Sequence, residues 1–166
     1  MNGKIRSQTI SPKKDIQLST HFTLFELCRS STAARKGINN IATDPKHIHN
    51  LELLCINILE PIRYMIKKPF APTSGYRTKE LNDYIGGAKN SQHMVGEAVD
   101  LDAISGVSNK DLFHIIERML SGCYDQLIME LPGSNPWDGW IHVSHRQRDN
   151  RGQKLLWDGK SYSIIP

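Results

Sequence analysis

The period of the hydrophobic pattern changes partway along the chain, and this change constrains the fold more than any other feature of the sequence. Up to Met65 the apolar residues recur at three- and four-residue steps, whereas from Glu97 onward they tend to alternate. The stripe Ile48, Leu51, Cys55, Ile58, Ile62 and Met65 predicts one long amphipathic helix. It starts at Asp44-Pro45, an N-cap followed by proline at the first helical position. Pro61 lies inside the stripe and predicts a bend, because it has no N–H for the preceding turn. Upstream, Thr23 and Glu26 form a capping box that predicts a helix over 24–35, ended by Gly37.

From about Phe70 the texture differs. A short strand is expected over 71–75, then a helix capped by Thr78 and running through Tyr84, then a turn at Gly86-Gly87. Residues 97–103 predict a half-buried strand, with Val99 and Leu101 on one face and Ala98, Asp100 and Asp102 on the other. Ser108 and Asp111 cap a helix carrying Leu112, Ile115, Ile116, Met119 and Leu120. Strands follow over 125–131 and 140–144, joined by a loop over 132–139, and a closing hairpin over 155–165 turns at Asp158-Gly159. Helices first and strands later predict an α+β fold. The expected sheet is central and mostly antiparallel, with the N-terminal helices on one face and a cleft on the other. A single domain is expected over 18–166, after a flexible segment over 1–17.

Composition excludes several classes. Hydrophobic residues make up 39% of the 166 and charged residues 23%, as in ordinary soluble domains. The net charge of +4 comes from 21 basic and 17 acidic residues that are dispersed rather than clustered, so a nucleic-acid partner is not expected. Residues 1–20 lack an apolar core of a secretory signal, and no run approaches a membrane span. Synthesis in the cytoplasm is therefore expected, with no stable membrane association and a monomeric state. Cys28, Cys55 and Cys123 form no CxxC pair and are expected to be structural thiols.

Several polar side chains sit where a plain core would not place them. Asp100 shares a strand face with other polar residues. His142 lies opposite Ile141 and Val143 on its strand, and His93 sits in the polar loop Asn90-Ser91-Gln92-His93. If the two strands are neighbours, His142 and Asp100 project from one face while His93 arrives from the loop. Two imidazoles and a carboxylate leave a fourth position open, as in a catalytic zinc site. Residue type and alternation permit such a site without setting its distances. Each side chain also has an ordinary alternative, a hydrogen-bonded histidine or a solvated aspartate.

The order of motifs narrows the choice. Ser74-Gly75-Tyr76-Arg77, Leu81-Asn82, Gly86-Gly87, the run Ser91-x-His93-x-x-Gly96-x-Ala98-x-Asp100, and Trp140-Ile141-His142-Val143-Ser144 occur in sequence. Together they closely resemble the zinc D-alanyl-D-alanine carboxypeptidase family of murein peptidases, whose metal site is shared with lysostaphin-type peptidases and the hedgehog domain. The stretches around His21 and Arg35 resemble its phage-associated and bacterial branch. The resemblance runs from about Leu18 to His145; no motif covers the strands after Gln147. It implies His93, Asp100 and His142 as Zn2+ ligands and Arg77 as a group binding a substrate carboxylate through its planar fork. Ser91 and Gln92 would shape the pocket.

The reaction also needs a carboxylate that moves protons. Several relatives carry an acidic residue shortly before the last histidine, but three residues before His142 this chain has Gly139. Glu130, on a strand expected to pair with that of His142, is the favoured base, and Asp138 in the loop is the rival. The expected function is zinc-dependent hydrolysis of peptidoglycan stem peptides, as a D,D-carboxypeptidase or an endolysin-type endopeptidase acting on the wall after release. The alternative is a non-catalytic zinc-containing module that binds cell-wall peptides.

Overall fold

The capping signals are met by the backbone. Thr23 accepts the Glu26 N–H while the Glu26 carboxylate accepts the Thr23 N–H, opening α1 (Leu24–Cys28). The computed structural model describes residues 15–104, 106–131 and 133–166. Residues 1–14 of the expected N-terminal segment and Pro132 of the expected loop lie outside these. Residues 16 and 17 are engaged, Gln17 bridging to Thr23 and the Ile16 carbonyl accepting the Leu24 N–H.

The helix expected over 24–35 is two helices. Arg29 and Ser30 are extended, and Ser30 accepts the Ala33 N–H to cap α2 (Ser31–Lys36), which Gly37 ends in the left-handed region. Serine competes well as a cap because its hydroxyl bonds the backbone locally. The break also frees carbonyls for use elsewhere: Leu27 accepts the Tyr76 N–H and Cys28 accepts from the Asn40 amide.

The long stripe folds as α3 (Pro45–Leu54), a wide π-turn at Cys55–Leu59, and α4 (Glu60–Ile66). The bend expected at Pro61 is thus taken up one turn earlier. The Glu60 N–H reaches the Cys55 carbonyl, and this widened turn admits a proline that cannot donate to the residue four before it. Ile58, Leu59 and Ile62 remain fully buried. Thr78 caps α5 (Lys79–Tyr84), and Ser108 caps α6 (Asn109–Met119).

Residues 71–75 are not a strand. Only Ser74 bridges, to Asp100, because Pro72 has no N–H with which to continue a ladder. The sheet contains β1 (Ala98–Leu101), β2 (Gln126–Glu130), β3 (Trp140–Ser144), β4 (Gln153–Trp157) and β5 (Tyr162–Ile164), in the order β1-β3-β2-β4-β5. Three pairings are antiparallel; β2 and β4 run parallel, so the sheet is mixed. The closing hairpin forms as expected between β4 and β5.

The register sorts the two faces. Val99, Leu101, Leu127, Met129, Ile141 and Val143 join a core with Leu27, Leu51, Ile58, Ile62, Leu112 and Ile116. The fold is α+β. Strand β1 is buried on both faces rather than half-buried, because its polar face lies beneath the site. Asp102 falls beyond β1 and bonds the Ala103 N–H and the Asn109 amide. Cys28 and Cys55 are buried free thiols, and burial pushes Cys55 up to about 12, consistent with inert core residues. Among the described residues no helix is long and apolar enough to cross a membrane.

Candidate metal centre

Three segments distant in sequence meet over the polar face of the sheet. Asp100 and His142 are directly opposite in the β1–β3 register, so their side chains project from the same face. His93 comes from a short 3-10 turn, Gln92–Val95, ended by Gly96 at φ +76. A Cβ at Gly96 would lie 2.5 Å from the His47 carbonyl oxygen, so both the conformation and the close approach to α3 require glycine.

The turn Ser74 to Arg77 clamps this arrangement. The Ser74 carbonyl accepts the Asp100 N–H, and the His93 carbonyl accepts the Arg77 N–H. The Gly75 carbonyl accepts from His93 Nδ1 at 2.7 Å. That bond puts the imidazole proton on Nδ1 and leaves Nε2 as a free lone pair, the tautomer of a metal ligand held by its outer partner.

The lone pair faces two other acceptors. His93 Nε2 is 3.1 Å from Asp100 Oδ1 and 3.2 Å from His142 Nδ1, which is itself 3.1 Å from Asp100 Oδ1. This triangle has at most one proton to share when His142 is neutral, so a cation suits its centre. In a tetrahedral zinc site with bonds of about 2.0 Å, ligand atoms lie about 3.3 Å apart. The spacing of the triangle therefore fits zinc, and the three residues that would hold it also line a cavity. All three residues are buried. Burial lowers the His93 pKa and keeps the ring neutral. Burial opposes the charge on Asp100, but the adjacent His93 and His142 hold its carboxyl well below the usual carboxylate range.

A cavity of about 300 Å³ opens beside the triangle, lined by Arg77, Ser91, Gln92, Glu130, Trp140 and Tyr162 together with the three candidate ligands. The Arg77 guanidinium is already engaged: Nη2 donates to Asp100 Oδ2 at 2.5 Å and Nε to Ser74 Oγ at 3.0 Å. The expected two-pronged grip on substrate is thus half committed to the second oxygen of Asp100. Nη1 has no partner among the described residues. Ser91 and Gln92 both line the cavity, and the Gln92 amide nitrogen is held by donating to Asp125 and Glu97.

Glu130 and Asp138 are separated by the fold. Glu130 is two residues from Ile128, the partner of His142, so its side chain lies on the site face. Burial and the Asp100 charge push its carboxyl up, against the opposing pull of His142 and Arg77. Asp138 instead accepts the Asn135 N–H and lines a different cavity with Lys110 and Phe113. Gly139 explains the departure noted in the sequence. It has φ +74, and a Cβ there would lie 2.0 Å from the Glu130 carbonyl oxygen. No side chain of any kind fits at that position.

Sequence patterns did not single out Tyr162 or the Gly75 carbonyl. The latter is a backbone atom and leaves no residue-type signal. Tyr162 reaches the cavity because β4 pairs with β2 in parallel, a long-range choice that alternation within β5 could not reveal. A family model described as Peptidase M15 matches residues 20–144, which include every candidate ligand, Arg77 and Glu130. No curated protein matches the chain.

Proposed function

Since the chain belongs to the Peptidase M15 family and is a metallopeptidase with zinc as its cofactor, we propose that it hydrolyses a peptide bond in peptidoglycan stem peptides. In this reading His93, Asp100 and His142 hold the zinc, Glu130 moves the proton, and Arg77 orients both Asp100 and substrate. The observation that carries it is the triangle of three acceptor atoms at 3.1 to 3.2 Å opening on the cavity that Glu130 lines.

Zinc held by His93, Asp100 and His142 would supply a Lewis acid for the scissile carbonyl and would make water acidic enough, at a pKa of about 7, to react at neutral pH. Glu130 takes a proton as the water oxygen adds to the carbonyl carbon. It returns that proton to the amine nitrogen as the C–N bond breaks, so one carboxylate serves as base and then acid. Its position on a paired strand suits this role, because the ladder to β3 and β4 fixes its backbone. The Arg77 Nη2 bond to Asp100 keeps the carboxylate turned toward the two histidines. Nη1 remains for a substrate carboxylate, as at the end of a stem peptide.

One substrate tests both forms of the proposal, the carboxypeptidase and the endolysin-type endopeptidase. Purified sacculi incubated with zinc-loaded protein are expected to release new amino groups, and a chelator should stop the release. Binding to sacculi with no bond cut would instead identify a zinc-containing binding module.

A further inference from the structure

The hairpin β4–β5 lies beyond the residues that match the family, yet it reaches the cavity. Trp140 pairs with Glu130 across β3–β2, Glu130 with Trp157 across β2–β4, and Trp157 with Tyr162 across β4–β5. Directly paired residues share a face, so these four form one row across the sheet with Glu130 between aromatic rings. The next row on the same face contains Asp100, His142, Ile128, Leu155 and Ile164. One end of this face is therefore polar and ligand-bearing, while the other is aromatic and aliphatic.

Two features set Tyr162 apart from ordinary packing. Its ring packs against Trp157 with centroids 4.5 Å apart and the planes tilted by 35°, which holds it in place. Even so it is 57% exposed, and Ile164 on the same short edge strand is 76% exposed. A braced aromatic left in solvent offers contact area with little further loss of conformational freedom. The Tyr162 hydroxyl has no hydrogen-bond partner among the described residues, and the residue lines the same cavity as Glu130.

We propose that Tyr162, braced by Trp157, forms a specificity subsite that packs against the aliphatic side chain of a substrate residue flanking the scissile peptide bond. This rests on the peptidase assignment, since Glu130 marks where that bond would sit. The ligand class is a peptide whose backbone passes Glu130 and whose neighbouring side chain is apolar or a methylene chain rather than a second carboxylate. The C-terminal hairpin would thus set which peptide is accepted, leaving the metal and its ligands unaltered.

The test is equilibrium binding of a murein stem peptide to the zinc-loaded protein, read from tryptophan fluorescence, with hydrolysis followed in parallel. Tyr162→Thr removes the ring but keeps strand propensity, and Tyr162→Phe keeps the ring without the hydroxyl. Zinc content and thermal unfolding serve as fold controls for both. Tyr162→Thr is expected to weaken binding about tenfold, the effect of losing one aromatic contact, while Tyr162→Phe stays close to wild type. Wild-type affinity in Tyr162→Thr, an equal loss in Tyr162→Phe, or no peptide binding by the wild type would each overturn the subsite. Binding that depends on Tyr162 without any hydrolysis would uphold the contact between Tyr162 and the peptide and overturn the proposed hydrolysis of stem peptides instead.

Discussion

Glu130 and Asp138 are separated by eight positions in sequence, yet only Glu130 shares a cavity with the candidate ligands. Glu130→Gln preserves shape while removing the proton acceptor, so turnover should fall about 10² to 10⁴-fold with zinc content unchanged. Asp138→Asn should alter turnover little, since its carboxylate closes its own loop on Asn135. Parallel kinetics with metal analysis decide the pair; the reverse pattern would exclude Glu130 as the shuttle. Arg77→Lys is expected to act partly through the metal. Lysine cannot bond both Asp100 and Ser74 from one rigid fork, so zinc affinity should drop about 10- to 100-fold, as for other outer-shell partners. Competition with a chromophoric chelator measures this, and unchanged affinity would remove Arg77 from the support of Asp100. The three candidate ligands were legible through the order and spacing of the motifs that resemble the zinc D-alanyl-D-alanine carboxypeptidase family, because residue type and alternation alone left each histidine and the aspartate an ordinary alternative. The engagement of Arg77 with Asp100 was not, because it depends on a turn docking across 23 residues of chain.

Helices were legible from a cap alone at Thr78, and from a cap followed by an apolar stripe at Ser108. They were misjudged where a second local signal competed, as when Ser30 split one expected helix into two. The π-turn before Pro61 shows the same limit: the proline announces a disturbance, but the packing of Ile58 and Ile62 decides where it is absorbed. In the sheet, alternation located the strands, but the parallel β2–β4 pairing depends on contacts that alternation does not encode. Asp125 joins these strands. Its N–H donates to Ser144, its carbonyl accepts the Gln153 N–H, and its fully buried carboxylate accepts two bonds from the Arg151 side chain. Burial alone would raise this carboxyl, but the Arg151 hydrogen bonds outweigh it and hold the pKa below the ordinary value. A depressed folded-state pKa stabilises above the unfolded value of about 3.9 and loses that contribution as pH falls through the folded value. Asp125→Asn should therefore cost about 2 kcal/mol at neutral pH, and the gap from wild type should narrow in acid. Urea unfolding of the metal-free proteins across pH checks this, and a gap that is constant with pH would contradict it.

The whole molecule exists, on this account, to bring three distant segments to one point. The turn bearing His93, strand β1 and strand β3 converge only when the sheet and the Ser74 to Arg77 clamp have formed. Zinc should consequently bind the folded chain far better than the unfolded one and raise its thermal stability by mass action. The overall class, α+β with helices leading, followed from the order of periodicities, whereas the distances at the centre required the fold itself. Calorimetric titration of zinc into metal-free wild type and His142→Ala tests the central claim most directly. Wild type is expected to take up about one zinc per chain at an open three-residue site, and His142→Ala to show no comparable binding. Equal stoichiometry and affinity in the two proteins, or no zinc uptake by the wild type, would contradict the assignment of His93, Asp100 and His142 as the metal site.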